Sequence, residues 1–253
     1  MVSHIHTPSS LYTIIISAKA LHVFTVPLRV LLLGIVLLSC IQSVVNEDVD
    51  VNTLARIQKF FRDNYYNGGQ YAVGINVIKG QCRSGFRPTT DNFLTHDPPG
   101  TVKRYTVPNS KNVYRGTEVI AAGFHKDAHS EDLLMNPPNR SPFKDLMNRK
   151  KDQCVVFYTL NSPCLNRCLN NNNNKNIIQS LDELNAYRGM KAFVYTSIYT
   201  YDQNSPGLRD GLQKIANRVP LYRCDRGNCI LCGRPGSNVP VINQCLTTAF
   251  PLD

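Results

Sequence analysis

The sequence predicts an α/β fold, a sheet covered by helices whose later strands run parallel. Three observations predict it. The short, continuous apolar run "CVVFYTL" (Cys154–Leu160) reads as a strand buried on both faces, and "KAFVYTSIY" (Lys191–Tyr199) reads as a further strand. Segments with helical apolar spacing lie between and after them. The chain has 253 residues, 42% hydrophobic and 18% charged, which suits one sizeable core and argues against disorder in the middle of the chain.

The elements follow in order. After Arg29, "VLLLGIVLLSCIQS" (Val30–Ser43) is an apolar core too short for a membrane span and followed by small and polar residues. It predicts a secretory leader over residues 1–43, with a long stretch ahead of the apolar core; an uncleaved anchor is the alternative. Removing the leader takes Lys19 and Arg29 and no acidic residue, leaving a basic mature chain of charge +8 against +10 for the whole. Polyanions suit such a surface, as does simple solubility.

In "VNTLARIQKFF" the residues Leu54, Ile57 and Phe61 share one helical face behind a capping Asn52. "NGGQYAVGINV" turns at Gly68 and Gly69 into a strand. From Gly80 to Asn112 the chain is rich in Pro, Gly, Asn and Thr, and reads as a long surface insertion carrying Cys82. "VYRGTEVIAAG" reads as one further strand, and a helix should open near His129. In "SPFKDLMNRKK" Phe143, Leu146 and Met147 face inward while Lys144, Arg149, Lys150 and Lys151 face out. The asparagine run at 170–174 reads as a loop, "IIQSLDELNAY" and "PGLRDGLQKIANR" as helices, and "VPLYR" as a last short strand. We therefore expect a main domain over residues 44–223 and a cysteine-rich tail over 224–253, stapled by disulfides because it has little apolar surface.

Cys40 falls in the leader, leaving Cys82, Cys154, Cys164, Cys168, Cys224, Cys229, Cys232 and Cys245. An exported chain can pair all eight, or pair six and keep two for a metal. The disulfide candidates are Cys82, Cys154, Cys224, Cys229, Cys232 and Cys245, with connectivity open. Cys154 can also be a small core residue, and the C-x-x-C at Cys229 and Cys232 leaves a second zinc site as the alternative for the tail.

The pair in "NSPCLNRC" has a potential third partner upstream, in "AHSEDLLM" (Ala128–Met135). His129 and Glu131 stand at the start of one expected helix, Cys164 and Cys168 at the start of the next, directly after a buried strand. In a parallel sheet, consecutive helix starts meet at the carboxyl ends of the strands. One imidazole and two thiolates suit tetrahedral Zn²⁺ with a fourth position open to water, and Glu131 beside it suits proton transfer. A disulfide through either cysteine is the competing reading.

These motifs carry a resemblance. The H-x-E at His129 to Glu131, the S-P-C with a second cysteine in "SPCLNRC", and the aromatic strand end, loop and G-L-R helix start in "FVYTSIYTYDQNSPGLRDGL" resemble the AID/APOBEC deaminases, and among them the secreted AID/APOBEC-like deaminases of fishes and amphibians. The similarity spans roughly Asp50 to Arg223. It implies a cytidine-deaminase-like, five-stranded mixed sheet with helices on both faces and its last two strands parallel. It also implies zinc on His129, Cys164 and Cys168, Glu131 as proton shuttle, and hydrolysis of cytosine to uracil in single-stranded DNA or RNA.

By the same resemblance Tyr199 would sit against the base, Tyr201 would contact a neighbouring nucleotide, and Asn161 and Ser162 would line the wall. Four departures from the family pattern matter, one being Thr200 where a sequence-reading acidic residue often sits, so that no sequence-context preference carries over. The cysteines are separated by three residues instead of two, Asn161 replaces an aromatic, and no counterpart of the sugar-binding asparagine is evident. The alternatives are a free-nucleoside or adenine deaminase, and an inactive, disulfide-stapled polyanion binder. Once the leader is removed, no stable membrane association is expected.

Overall fold

The structure, a computed structural model, describes residues 47–250. The expected leader and Cys40 lie outside the described residues. Helix α1 spans Val51–Tyr65, α2 Pro99–Lys103, α3 Ser130–Met135, α4 Pro142–Arg149, α5 Ile178–Ala186 and α6 Leu208–Ala216. Strands β1 to β7 span Tyr71–Val77, Val113–Arg115, Val119–Gly123, Cys154–Asn161, Met190–Ser197, Leu221–Asp225 and Asn228–Gly233. No helix among the described residues is long and apolar enough to cross a membrane.

All seven strands form one sheet in the order β2-β3-β1-β4-β5-β6-β7. This corrects the expectation of five strands. The stretch "VYRGTEVIAAG" is a hairpin of two strands and not one, because Asp97 organises its turn: its buried carboxylate accepts from the Tyr114 hydroxyl (2.8 Å) and from the backbone N–H of Thr117 (2.8 Å) and Glu118 (2.7 Å). The other additional strand, β7, is built from the tail. Parallel pairing joins β4 to β5 and β5 to β6, but β7 runs antiparallel to β6, so the last two strands are not parallel. The tight turn at Arg226 and Gly227, both at positive φ, reverses the chain after only two residues and permits no crossover helix.

The apolar runs alternate as strands must. Val155 and Phe157 of β4 face the core under α3 to α6, while Val156 and Tyr158 face the core under α1. Helices therefore cover both faces, as expected. Phe157 lies between Phe143 of α4 (centroids 5.1 Å apart, edge-on) and Phe193 of β5 (5.2 Å, stacked). Each such pair contributes about 1 kcal/mol beyond the burial itself. Helix α1 starts one residue before the expected cap, and Asp50 performs that role, accepting from the Thr53 N–H at 2.8 Å.

The insertion is not a free surface loop. It buries Cys82, Phe93, Leu94 and Val102 against the α1 side of the sheet and Thr106 against the Tyr65 carbonyl. Its apolar residues are too sparse for any period, so tertiary contact alone reveals them. Cys154 is bonded to Cys82, so it is not an unpaired core cysteine. In the tail, Cys224 pairs with Cys229 and Cys232 with Cys245. Arg223, 1% exposed, ties the same segment down by donating to the carbonyls of Thr196, Gln244 and Thr247.

One edge of the sheet collects the ends that matter. Strand β1 runs antiparallel to both β3 and β4, placing Tyr71 opposite Gly123 and Ala72 opposite Thr159. Strand β5 lies parallel to β4, with Asn161 opposite Ser197. The carboxyl ends of β3, β4 and β5 and the amino end of β1 thus meet.

Candidate metal centre

At that edge, β3 leads through residues 124–128 to His129, the residue preceding α3, and β4 leads directly to Cys164. His129 Nδ1 lies 3.5 Å from Cys164 Sγ and 3.6 Å from Cys168 Sγ, and the two sulfurs are 3.7 Å apart. Tetrahedral zinc with bonds of about 2.3 Å to sulfur and about 2.05 Å to nitrogen requires edges of about 3.6 to 3.8 Å. The triangle therefore fits a metal and is too wide for a sulfur–sulfur bond. Cys164 and Cys168 are both buried, and they are the free cysteines among the described residues. His129, Cys164 and Cys168 together could hold a metal ion.

The cysteine segment differs from the expected helix start. Cys164 to Leu169 form successive turns, with Leu169 N–H donating to the Cys164 carbonyl (3.0 Å), and α5 opens only at Ile178. The asparagines explain the delay. Asn170 accepts from the N–H of Asn172, Asn173 from that of Lys175 and Asn176 from that of Ile178, offering the backbone local partners in place of helical ones. The last turn of the approach is pinned from β5's side, where the Asp202 carboxylate accepts from the Leu165 N–H at 2.9 Å.

Glu131 is 2% exposed. Its Oε1 accepts from Thr159 Oγ1 (2.7 Å) and Gln70 Nε2 (3.2 Å), and its Oε2 from Ser130 Oγ (3.1 Å). Gln70 also donates to Thr159 Oγ1 (2.8 Å) and accepts from the Asn161 N–H (2.8 Å), so one carboxamide links α3, β4 and the entry to β1. Sequence reasoning missed Gln70 and Thr159. The signal was indirect: pairing β1 antiparallel to β4 brings Gln70 beside the end of β4.

Electrostatics follow from this packing. The hydrogen bond from Cys168, helped by His129, pulls the Cys164 thiol down to about 4 against the opposing cost of burial. The Cys168 thiol is pushed well above its ordinary value by that same hydrogen bond and by burial. The bond to the Cys164 sulfur raises His129. Burial raises the Glu131 carboxyl, with Thr159 and His129 opposing.

A cavity of about 240 Å³ opens over the group, lined by Gln70, Phe124, His129, Glu131, Asn161, Ser162, Cys164, Tyr199 and Tyr201. Every site residue expected from the sequence thus reaches one place, with Cys168 buried directly beneath. Four rings form a row across it: Phe124 to His129 (5.5 Å), His129 to Tyr199 (6.1 Å) and Tyr199 to Tyr201 (5.5 Å). Ser162 turns its hydroxyl to the Tyr199 N–H (3.0 Å), so in addition to lining the wall it fixes that tyrosine. Tyr201 is 86% exposed at the mouth.

A mixed sheet that delivers an H-x-E helix start and a P-C turn with a second cysteine to one pocket is the arrangement that the resemblance to AID/APOBEC-like deaminases implies. Residues 51–249 match the family model described as Secreted Novel AID/APOBEC-like Deaminase 1, and the chain belongs to that family. The match runs past Arg223 through the cysteine-rich tail. The family's description names it as secreted, and the three disulfides accord with an oxidising compartment. No curated protein and no solved structure matched the chain.

Proposed function

We propose that this protein is a zinc-dependent hydrolytic deaminase that converts cytosine to uracil in single-stranded nucleic acid. One observation carries the reading: the buried Glu131 carboxylate stands in the same cavity as a triangle of His129 Nδ1, Cys164 Sγ and Cys168 Sγ with edges of 3.5 to 3.7 Å. Zinc held by those three atoms would supply a Lewis acid able to make water nucleophilic at neutral pH.

The protein's own groups do the rest. Glu131 takes the proton of the attacking water, passes it to the ring nitrogen, and delivers a second to the departing amine. The C–N bond breaks, a C–O bond forms, and ammonia leaves. Oε1 takes two hydrogen bonds, from Thr159 and Gln70, and Oε2 only one, from Ser130, so Oε2 keeps more lone-pair capacity to carry the proton. Burial, which raises the carboxyl, suits a group that must both accept and return one. Tyr199 and Asn161, which line the cavity, would flank the base. The exposed Tyr201 ring, next to Tyr199, favours a stacked neighbouring base and hence a polynucleotide over a free nucleoside.

The test is uracil formation in a single-stranded oligonucleotide by the purified secreted protein. We expect activity that Glu131→Gln lowers by about 10²- to 10⁴-fold. Activity unchanged by that substitution excludes the shuttle. Ammonia release from nucleosides but not from oligonucleotides transfers the reading to a free-nucleoside deaminase. No turnover of any base, with polyanion binding retained, transfers it to an inactive scaffold.

A further inference from the structure

The insertion between β1 and β2 forms a wall of the molecule beside the pocket. An added Cβ at Gly69 would meet Pro108 Cγ at 2.6 Å, and one at Gly123 would meet the Val107 carbonyl, so the segment 106–108 packs directly on both glycines. Each glycine precedes a residue that lines the cavity, Gln70 and Phe124. Backbone bonds complete the seam: Gly123 N–H donates to the Tyr105 carbonyl (2.9 Å), Asn109 N–H to that of Phe124 (2.7 Å), and Asn67 Nδ2 to that of Lys103 (3.3 Å).

This seam carries charge. Lys103 and Arg104 stand exposed at the end of α2, and Lys126 stands exposed on the loop between Phe124 and His129. None of the three pairs with an acidic side chain among the described residues. Lys111, in contrast, is taken up by Asp127 at 3.3 Å. In the row of rings Phe124 and Tyr201 are the two ends, with His129 and Tyr199 between them. Lys103, Arg104 and Lys126 therefore stand on the two segments joined around Phe124, one end of the row, and Arg167 reaches the same loop by donating to the Asp127 carbonyl (3.3 Å).

We propose that Lys103, Arg104 and Lys126 form a phosphate-binding track that holds the backbone of a single strand as it leaves the pocket on the Phe124 side. The inference rests on the deaminase reading and adds to it a second contact region, supplied by the insertion. A base in the pocket and a neighbour on Tyr201 fix one direction of the strand; cations at the opposite end of the ring row neutralise phosphates on the other side.

The test measures binding of a fluorescent single-stranded oligonucleotide across a range of salt, using Glu131→Gln protein so that the ligand is not consumed. We expect Lys103→Ala, Arg104→Ala and Lys126→Ala together to weaken binding at least tenfold at 0.1 M salt. The slope of log affinity against log salt should fall by about 2, at about 0.7 per lost phosphate contact. The control removes the same charge elsewhere: Lys79, Lys151 and Arg188 to Ala. These lie near Gln153 at the amino end of β4, opposite the pocket. Equal loss from both triple variants overturns the proposal, since net charge alone then explains it. So does a loss of heparin binding with oligonucleotide binding unchanged.

Two further measurements separate this proposal from the functional one. In the active protein, the track variant should lower oligonucleotide deamination at subsaturating substrate while leaving turnover of a free nucleoside unchanged; oligonucleotide deamination unaffected by the variant overturns the track and leaves the deaminase intact. A track-dependent salt slope in a protein that deaminates nothing supports the track and overturns the enzyme reading.

Discussion

The pocket and the tail each hold buried cysteines in this exported fold, and the two regions treat them in opposite ways. In the tail, Cys229 and Cys232 are three positions apart on β7, so they point to opposite faces of the sheet. Cys229 meets Cys224 on the α1 side, and Cys232 meets Cys245 on the other. A C-x-x-C on a strand cannot offer both sulfurs to one ion, which removes the second zinc site considered from the sequence. In the pocket, Cys164 and Cys168 sit on turns that bring both sulfurs to the same side, within 3.6 Å of an imidazole. Backbone conformation between the cysteines, more than their spacing, separates a staple from a metal site.

The largest effect should come from breaking the pocket's triangle. Cys168→Ser should reduce bound zinc from one equivalent to background by elemental analysis, while Cys229→Ser should leave zinc unchanged. Loss of zinc from both would erase the contrast between the regions. Next are the staples, ranked by the loop each closes. Replacing both cysteines by Ala should cost about 4 kcal/mol for Cys82–Cys154 (separation 72), about 3 for Cys232–Cys245 (13) and about 2 for Cys224–Cys229 (5), read from urea unfolding.

Arg223→Met comes third. It removes the donor for the Gln244 and Thr247 carbonyls and should cost about 2 kcal/mol, with faster proteolysis of the tail and zinc content intact. The smallest effect sharpens the pocket side. Burial raises the Glu131 carboxyl in the folded state, so its ionised form opposes folding. That penalty is absent below the ordinary carboxylate range and develops as pH rises through the raised folded value. Glu131→Gln in chelator-treated protein should therefore stabilise by about 1 kcal/mol at pH 8 and by nothing near pH 3, read from thermal melts.

The chemistry-bearing residues were legible in the sequence because each stands at the end of a strongly patterned element. His129 and Glu131 open α3, Cys164 follows the continuous apolar run of β4, and Tyr199 follows β5. Gln70 and Thr159 were not legible: they act on Glu131 across 61 and 28 residues, through a strand pairing that no local pattern records. Strand β7 was hidden for a different reason. Its residues are partly exposed and interrupted by cysteines, so period and apolarity both fail while disulfides and Arg223 supply the stability. Turns at Cys164 to Leu169 stand in place of the expected helix start, and α5 waits until Ile178 because Asn170, Asn173 and Asn176 bond the backbone locally, an effect that depends on where each side chain points.

The central claim is that His129, Cys164 and Cys168 hold one zinc ion. Its most direct test is thiol mapping of freshly secreted protein by mass spectrometry after alkylation under denaturing conditions, with zinc counted on the same sample. The account predicts one zinc per chain and alkylation of Cys164 and Cys168 among the eight cysteines from Cys82 onward. A chain without zinc in which Cys164 or Cys168 is joined to another sulfur would contradict it.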